Sequence, residues 1–333
     1  MIGDCTLASV SHYQGTATGY DTVINGDWAY PFSLTAEYFA DDDMTFANLE
    51  CSLTDSDNRT DKTFTFKCGP EYANIMVEGN VEFVTLANNH SLDYGPAGYA
   101  ETKRLLDEAN ARGLKIIVDM VLNHTSDEHP WFIEAKSSRD NPKHDWYVWR
   151  DGTPDCPPND MSSVFSGSAW QWCEDCQQFY FHQYSVKQPD LNWDNPEVRK
   201  ALFDMMNWWA DRGAGGFRLD VIDSVAKEPD KMITAEGINL HKYIKEMSAA
   251  VFQGRDLAVV GECWSATPET AKLWSNPDGS ELSMVFQFEH MCLDQTSWQK
   301  WDVAPLPLVK LKECYRRWQQ ELCGQGWNSL FFN

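Results

Sequence analysis

The sequence is short of positive charge and of long apolar runs. Its 27 lysines and arginines stand against 50 aspartates and glutamates, a formal net charge of -23 over 333 residues. A surface of that sign repels nucleic acid and anionic membranes, so neither is expected as a partner, and it suits a neutral ligand. No apolar stretch approaches the roughly 18 residues of a membrane-spanning helix. Met1-Ile2-Gly3-Asp4 opens the chain without a basic or apolar leader, which reads as a cytoplasmic protein. A second Cys-x-x-Cys pair is missing as well: Cys173-Glu174-Asp175-Cys176 has the form of half a zinc knuckle with no partner at a suitable distance. The ten scattered cysteines are therefore expected as free, mostly buried thiols in a reducing compartment.

What is present is apolar mass and aromatic rings. A hydrophobic content of 43% supports either one large α/β barrel or two ordinary domains. Fifteen Trp and twelve Tyr exceed the needs of a core, and such rings stack well on sugars. The chain is organised around Gly216-Phe217-Arg218-Leu219-Asp220. On a strand, Arg218 and Asp220 share one face while Phe217 and Leu219 pack on the other. A cation that close lowers a carboxyl pKa by about 1–3 units and keeps Asp220 ready to act as a nucleophile. Taken alone, the pair reads equally as an ordinary ion pair at a strand end.

The surrounding pattern alternates strand and helix. Residues 81–87 suit a buried strand and residues 63–67 a half-exposed one, with a helix following over 100–113. Residues 114–122 are too continuously apolar for a half-exposed strand and suit a parallel strand buried on both faces, and they end in Asn123-His124. A polar, aromatic-rich insertion follows over about 125–190, long enough to form a small subdomain. Pro196 then opens a helix that runs to Gly213 and delivers the chain to Gly216. A helix over 240–252, strands over 257–261 and 284–288, a helix over 308–322 and a strand from near Asn328 complete the series. This alternation implies a (β/α) barrel, whose chemistry stands at the C-terminal ends of its strands. His124, Asp220 and Glu262 fall at such ends. Glu262, between Val259-Val260-Gly261 and Cys263-Trp264, has an apolar setting that raises its pKa, so Asp220 as nucleophile and Glu262 as acid form a pair able to cleave a glycosidic bond. Glu262 by itself also reads as a capping or solvent-facing acid.

Two family resemblances divide the chain. Residues 1–109, through Gly3-Asp4, Asn48-Leu49-Glu50, Ala87-Asn88-Asn89-His90-Ser91 and Asp93-Tyr94-Gly95, resemble the CapA capsule-biosynthesis family with its metallophosphatase-like α/β fold. That resemblance implies Asp4, Glu50, Asn89 and His90 near a metal or polyanion site, and an alternative function as a metal-dependent phosphatase-like or capsule polyglutamate protein. Residues 110–333 resemble glycoside hydrolase family 13, in particular its oligo-1,6-glucosidase and α-glucosidase group. The motifs are Asp119-Met120-Val121-Leu122-Asn123-His124, Gln188-Pro189-Asp190-Leu191-Asn192-Trp193, Gly216-Phe217-Arg218-Leu219-Asp220 and Gly261-Glu262, in order and at the family's spacing.

The second resemblance implies retaining hydrolysis of α-glucosidic bonds in short oligosaccharides. His124 and Arg218 would bind the sugar, Phe165 and Tyr184 would line the pocket, and Val221 would favour α-1,6 linkages. The expected fold is an incomplete (β/α)8 TIM-type barrel in which five strands, the third to the seventh, are recognisable, leaving open edges. No cofactor or metal is expected for it, since the family's calcium-type loop has no counterpart here. The family's final Asn-His-Asp motif has none either, so little or no hydrolytic activity is expected of the chain as it stands, and a sugar-binding remnant without turnover is an alternative. Each half carries its motifs on its own side of residues 106–112, which reads as a fusion. The oligomeric state is left open.

Overall fold

The computed structural model describes residues 4–9, 15–41, 45–59, 65–85, 104, 111, 115–275, 277–295 and 304–330. The first part contributes β1 (Asp4–Cys5), β2 (Phe46–Leu49), a short pair β3 (Ser52–Leu53) and β4 (Lys67–Cys68), and β5 (Phe83–Thr85). Then come β6 (Lys115–Val121), the insertion strands β7 (Trp149–Arg150), β8 (Trp170–Cys173) and β9 (Gln178–Phe181), and finally β10 (Gly216–Asp220), β11 (Ala258–Gly261), β12 (Met284–Gln287) and β13 (Trp327–Leu330).

Eight of these form one parallel sheet in the order β1-β2-β5-β6-β10-β11-β12-β13. The five expected barrel strands are all there, as β6, β10, β11, β12 and β13. Among the described residues the sheet has open edges, as expected, at β1 and β13, while the β6 edge is covered by β5 with Val84 opposite Ile116. Among the described residues β1 and β13 do not pair, so the barrel is incomplete. Two apolar cores meet on β6. Ile116 belongs to the first, with Leu49, Ile75, Met76 and Val84, while Met120 belongs to the second, with Phe217, Leu219, Val259 and Val285; Val118 and Trp209 pack against both.

Local chemistry accounts for the elements around the site. Helix Pro196–Ala210 starts with Pro at its first turn and with the Asn195 side chain accepting from Glu197 N at 2.9 Å, which satisfies one of the open N-terminal donors. The helix expected over 240–252 is Leu240–Met247 followed by a wider turn, Ser248–Phe252. Helix Leu308–Leu322 has the expected ends. Of the half-exposed strand expected over 63–67, residues 63 and 64 lie outside the described residues; β4 starts at Lys67, and Thr65 before it is buried where this stretch packs on the first core. The helix expected over 100–113 lies almost wholly outside the described residues.

Candidate active site

Register on three parallel strands builds the site. Arg218 lies opposite Asp119 on β6 and Val260 on β11. Side chains alternate faces, so Asp119, Arg218, Asp220 and Glu262, two residues beyond Val260, all point to the same side of the sheet. Phe217 and Leu219, fully buried, anchor the other side. Two glycines permit the close approach. A Cβ on Gly216 would stand 1.9 Å from the carbonyl oxygen of Ala258, and one on Gly261 would stand 2.9 Å from Ile222 Cγ2.

Arg218 is the centre of the cluster. Its Nη1 donates to Asp119 Oδ1 at 2.8 Å and to Asp220 Oδ1 at 2.6 Å, and its Nη2 donates to Glu262 Oε2. Burial works against the guanidinium charge, but the three carboxylates outweigh it and hold the arginine pKa above its ordinary value. Burial pushes the Asp119 carboxyl up to about 6, against the pull of Arg218. Glu262 is also raised by burial, with Arg218 opposing and Asp220 adding to the effect. The apolar setting expected for Glu262 is thus one that keeps a proton on it at higher pH than a free acid.

The chain turns sharply after Asp220. Val221 has φ 37° and ψ 45°, a left-handed conformation that costs a β-branched residue about 1–3 kcal/mol. The turn aims Val221 N at Glu262 Oε2, 3.3 Å away, and Ile222 N at the Glu262 carbonyl, 3.1 Å away. On its other oxygen, Oε1, Glu262 accepts from Trp264 Nε1 at 2.9 Å.

His124 stands at the end of β6 beside this cluster. Its ring lies 5.7 Å from Tyr184, and Tyr184 lies 5.8 Å from Phe165, so three rings run from the strand ends out to the exposed Phe165. Burial lowers the His124 pKa and favours a neutral imidazole. Behind it Asp190, fully buried, accepts from Asn123 Nδ2 and Gln183 N, both at 3.0 Å, and pairs with Lys227 Nζ at 2.9 Å. That buried pair fastens the end of the insertion to the loop after β10.

Asp119, Lys227 and Trp264 were not among the residues singled out from sequence. Asp119 opens one of the motifs, and its place next to the apolar Val118 and Met120 is the signal that would have placed it on the other face, beside Arg218. A cavity of about 470 Å³ lies elsewhere, between the insertion and the loop after β10, lined by Tyr147, Trp149, Asp194 and the Arg150–Asp230 ion pair among others. Charge chemistry, not concavity, singles out the Arg218 cluster. Among the described residues no group of three or more His, Cys, Asp or Glu is arranged to hold a metal. In the first part Asp4 lies on β1 and Glu50 directly after β2, whereas Asn89 and His90 lie outside the described residues. Cys173 and Cys176 are unbridged, the first at the end of β8 and the second in the turn to β9.

Residues 91–333 match the family "Alpha amylase, catalytic domain", and residues 1–117 match "Bacterial capsule synthesis protein PGA_cap". Over 233 residues the chain is 52% identical to the glucan 1,6-alpha-glucosidase of Streptococcus pneumoniae, taking in 69% of this chain and 43% of that protein. It is 45% identical over 249 residues to the oligo-1,6-glucosidase of Parageobacillus thermoglucosidasius, 70% of this chain and 44% of that one. The chain therefore spans less than half the length of these relatives. The crystal structure of trehalose-6-phosphate hydrolase from Bacillus licheniformis superposes with a TM-score of 0.77 at 32% identity, over 87% of this chain and 57% of that one. That coverage is wider than residues 91–333, so part of the first segment superposes on the barrel too.

Proposed function

The chain belongs to the alpha-amylase family of glycoside hydrolases, and on that premise we propose that the Arg218 cluster hydrolyses α-glucosidic bonds in short gluco-oligosaccharides, α-1,6 links before α-1,4. One observation carries the reading: a single guanidinium joined to three carboxylates, among them Glu262, an acid with a raised pKa directly after a strand. Asp220 attacks the anomeric carbon while Glu262 gives its proton to the departing glycosidic oxygen. The glucosyl ester on Asp220 is then hydrolysed by a water that Glu262 deprotonates, which returns the enzyme with the configuration retained. Arg218 aligns the nucleophile, and Asp119 holds Arg218 from the far side. His124 and Arg218 bind the sugar, Phe165 and Tyr184 line its path, and Val221 sets the linkage preference.

The relatives named glucan 1,6- and oligo-1,6-glucosidase support the α-1,6 preference. All ten cysteines are unbridged, which supports a reducing, cytoplasmic setting. No helix among the described residues is long and apolar enough to cross a membrane. The test is hydrolysis of a nitrophenyl α-glucoside, with isomaltose and maltose compared. Wild type is expected to release nitrophenol and to favour isomaltose, and Asp220→Asn to lose about 10⁴-fold in kcat/KM. Equal rates for wild type and D220N would refute the assignment.

A further inference from the structure

Glu262 is gripped differently at its two oxygens. Oε2 accepts from the charged Arg218 Nη2 and from Val221 N, so two donors already point at it. Oε1 accepts from Trp264 Nε1 at 2.9 Å. Trp264 is 57% exposed, and an exposed indole left to itself samples several rotamers. Here it lies flat on the buried Phe288, with ring centroids 4.0 Å apart and planes 8° from parallel. We infer that Trp264 is a positioning residue for Glu262: clamped on Phe288, its indole N–H orients the carboxyl group and marks Oε1 as the oxygen that carries the transferable proton.

The inference rests on the reading of Glu262 as the acid of the reaction. The charged groups facing Glu262 are Asp119 from β6 and Arg218 and Asp220 from β10. Arg218 and the indole N–H favour the carboxylate, and the two aspartates and burial oppose it. Removing the indole donor therefore leaves the opposing influences less balanced and raises the pKa of Glu262. The proton then sits on an oxygen whose direction is no longer fixed.

The experiment is a carboxyl ¹³C NMR titration of the full chain, with the Glu262 signal identified by its loss in Glu262→Gln. Trp264→Phe keeps a ring on Phe288 and deletes the donor. Its Glu262 midpoint is expected to rise by about 0.3–1 pH unit, the size of one partly exposed hydrogen bond. Phe288→Leu keeps the donor and removes its flat support, and a smaller rise is expected. The basic limb of the kcat/KM profile should move up with the NMR midpoint in W264F. A W264F midpoint equal to that of wild type would overturn the inference, and a wild-type midpoint in F288L would overturn the clamp. Should wild type cleave no α-glucoside, the proposed function fails, while the titration still decides the role of Trp264.

Discussion

Strands β1, β2 and β5 and strands β6, β10 and β11 are hydrogen-bonded into the same parallel sheet, yet they differ in what stands on them. The first set is short, and its buried side chains form a small core of their own around Leu49, Ile75 and Val84. The second set carries Asp119, Arg218, Asp220 and, one step past β11, Glu262 in mutual register. Backbone pairing in a doubly covered sheet asks only for apolar side chains on both faces. A catalytic cluster asks for particular charged groups on consecutive strands. Continuity of the sheet therefore says nothing about continuity of function: β5 supports the edge of β6 and, among the described residues, adds no member to the Arg218 cluster. The ion pairs show the same contrast. Lys67–Asp57 in the first part and Arg218–Asp220 in the second both measure 2.6 Å, but Asp57 is 96% exposed and Asp220 only 22%.

Substitutions in the two sets of strands are expected to differ in effect. The largest effect on stability is expected at Lys227→Met, which leaves Asp190 charged and buried without its partner; a loss of about 3–5 kcal/mol should be read from urea unfolding. Val84→Asp puts an unpaired charge between β2 and β6, and a loss of about 3 kcal/mol is expected if the first strands truly support the second. An unchanged urea midpoint in V84D would mean that the two sets stand independently. Asp119→Asn should show a pH signature. The folded pKa of Asp119, about 6, lies above the free value of about 3.9. Between those values the folded chain holds a proton that the unfolded chain has released, so stability falls as pH rises through the window. D119N removes that slope, and relative to wild type it should gain on the order of 2–3 kcal/mol between pH 4 and pH 7. Smallest of all, Lys67→Ala should leave hydrolysis unchanged and lower stability by no more than about 1 kcal/mol, because its charged partner Asp57 is fully in solvent.

Much of the second set was legible in the chain because its signals are local. The two-residue alternation of Phe217 and Leu219 against Arg218 and Asp220 specifies which side chains turn inward, and Pro196 and the spacing of apolar residues over 308–322 specify two helices. The pairing of β5 with β6 was not legible, since a parallel contact between distant segments leaves no local trace beyond apolar residues in each. Asp119 was read as part of a motif and not as a member of the cluster, because its meeting with Arg218 depends on strand register. Trp264 was read as apolar surroundings; only the direction of its N–H, set by the stack on Phe288, makes it a partner of Glu262.

The proposed role of Asp220 as nucleophile of the Arg218 cluster has a covalent signature. A slowly turned-over fluorinated α-glucosyl fluoride, followed by proteolysis and mass spectrometry of the peptides, tests it most directly. A single glucosyl ester on Asp220, absent from D220N, is the predicted result. An ester on Glu262 or Asp119, or no ester at all, would contradict it.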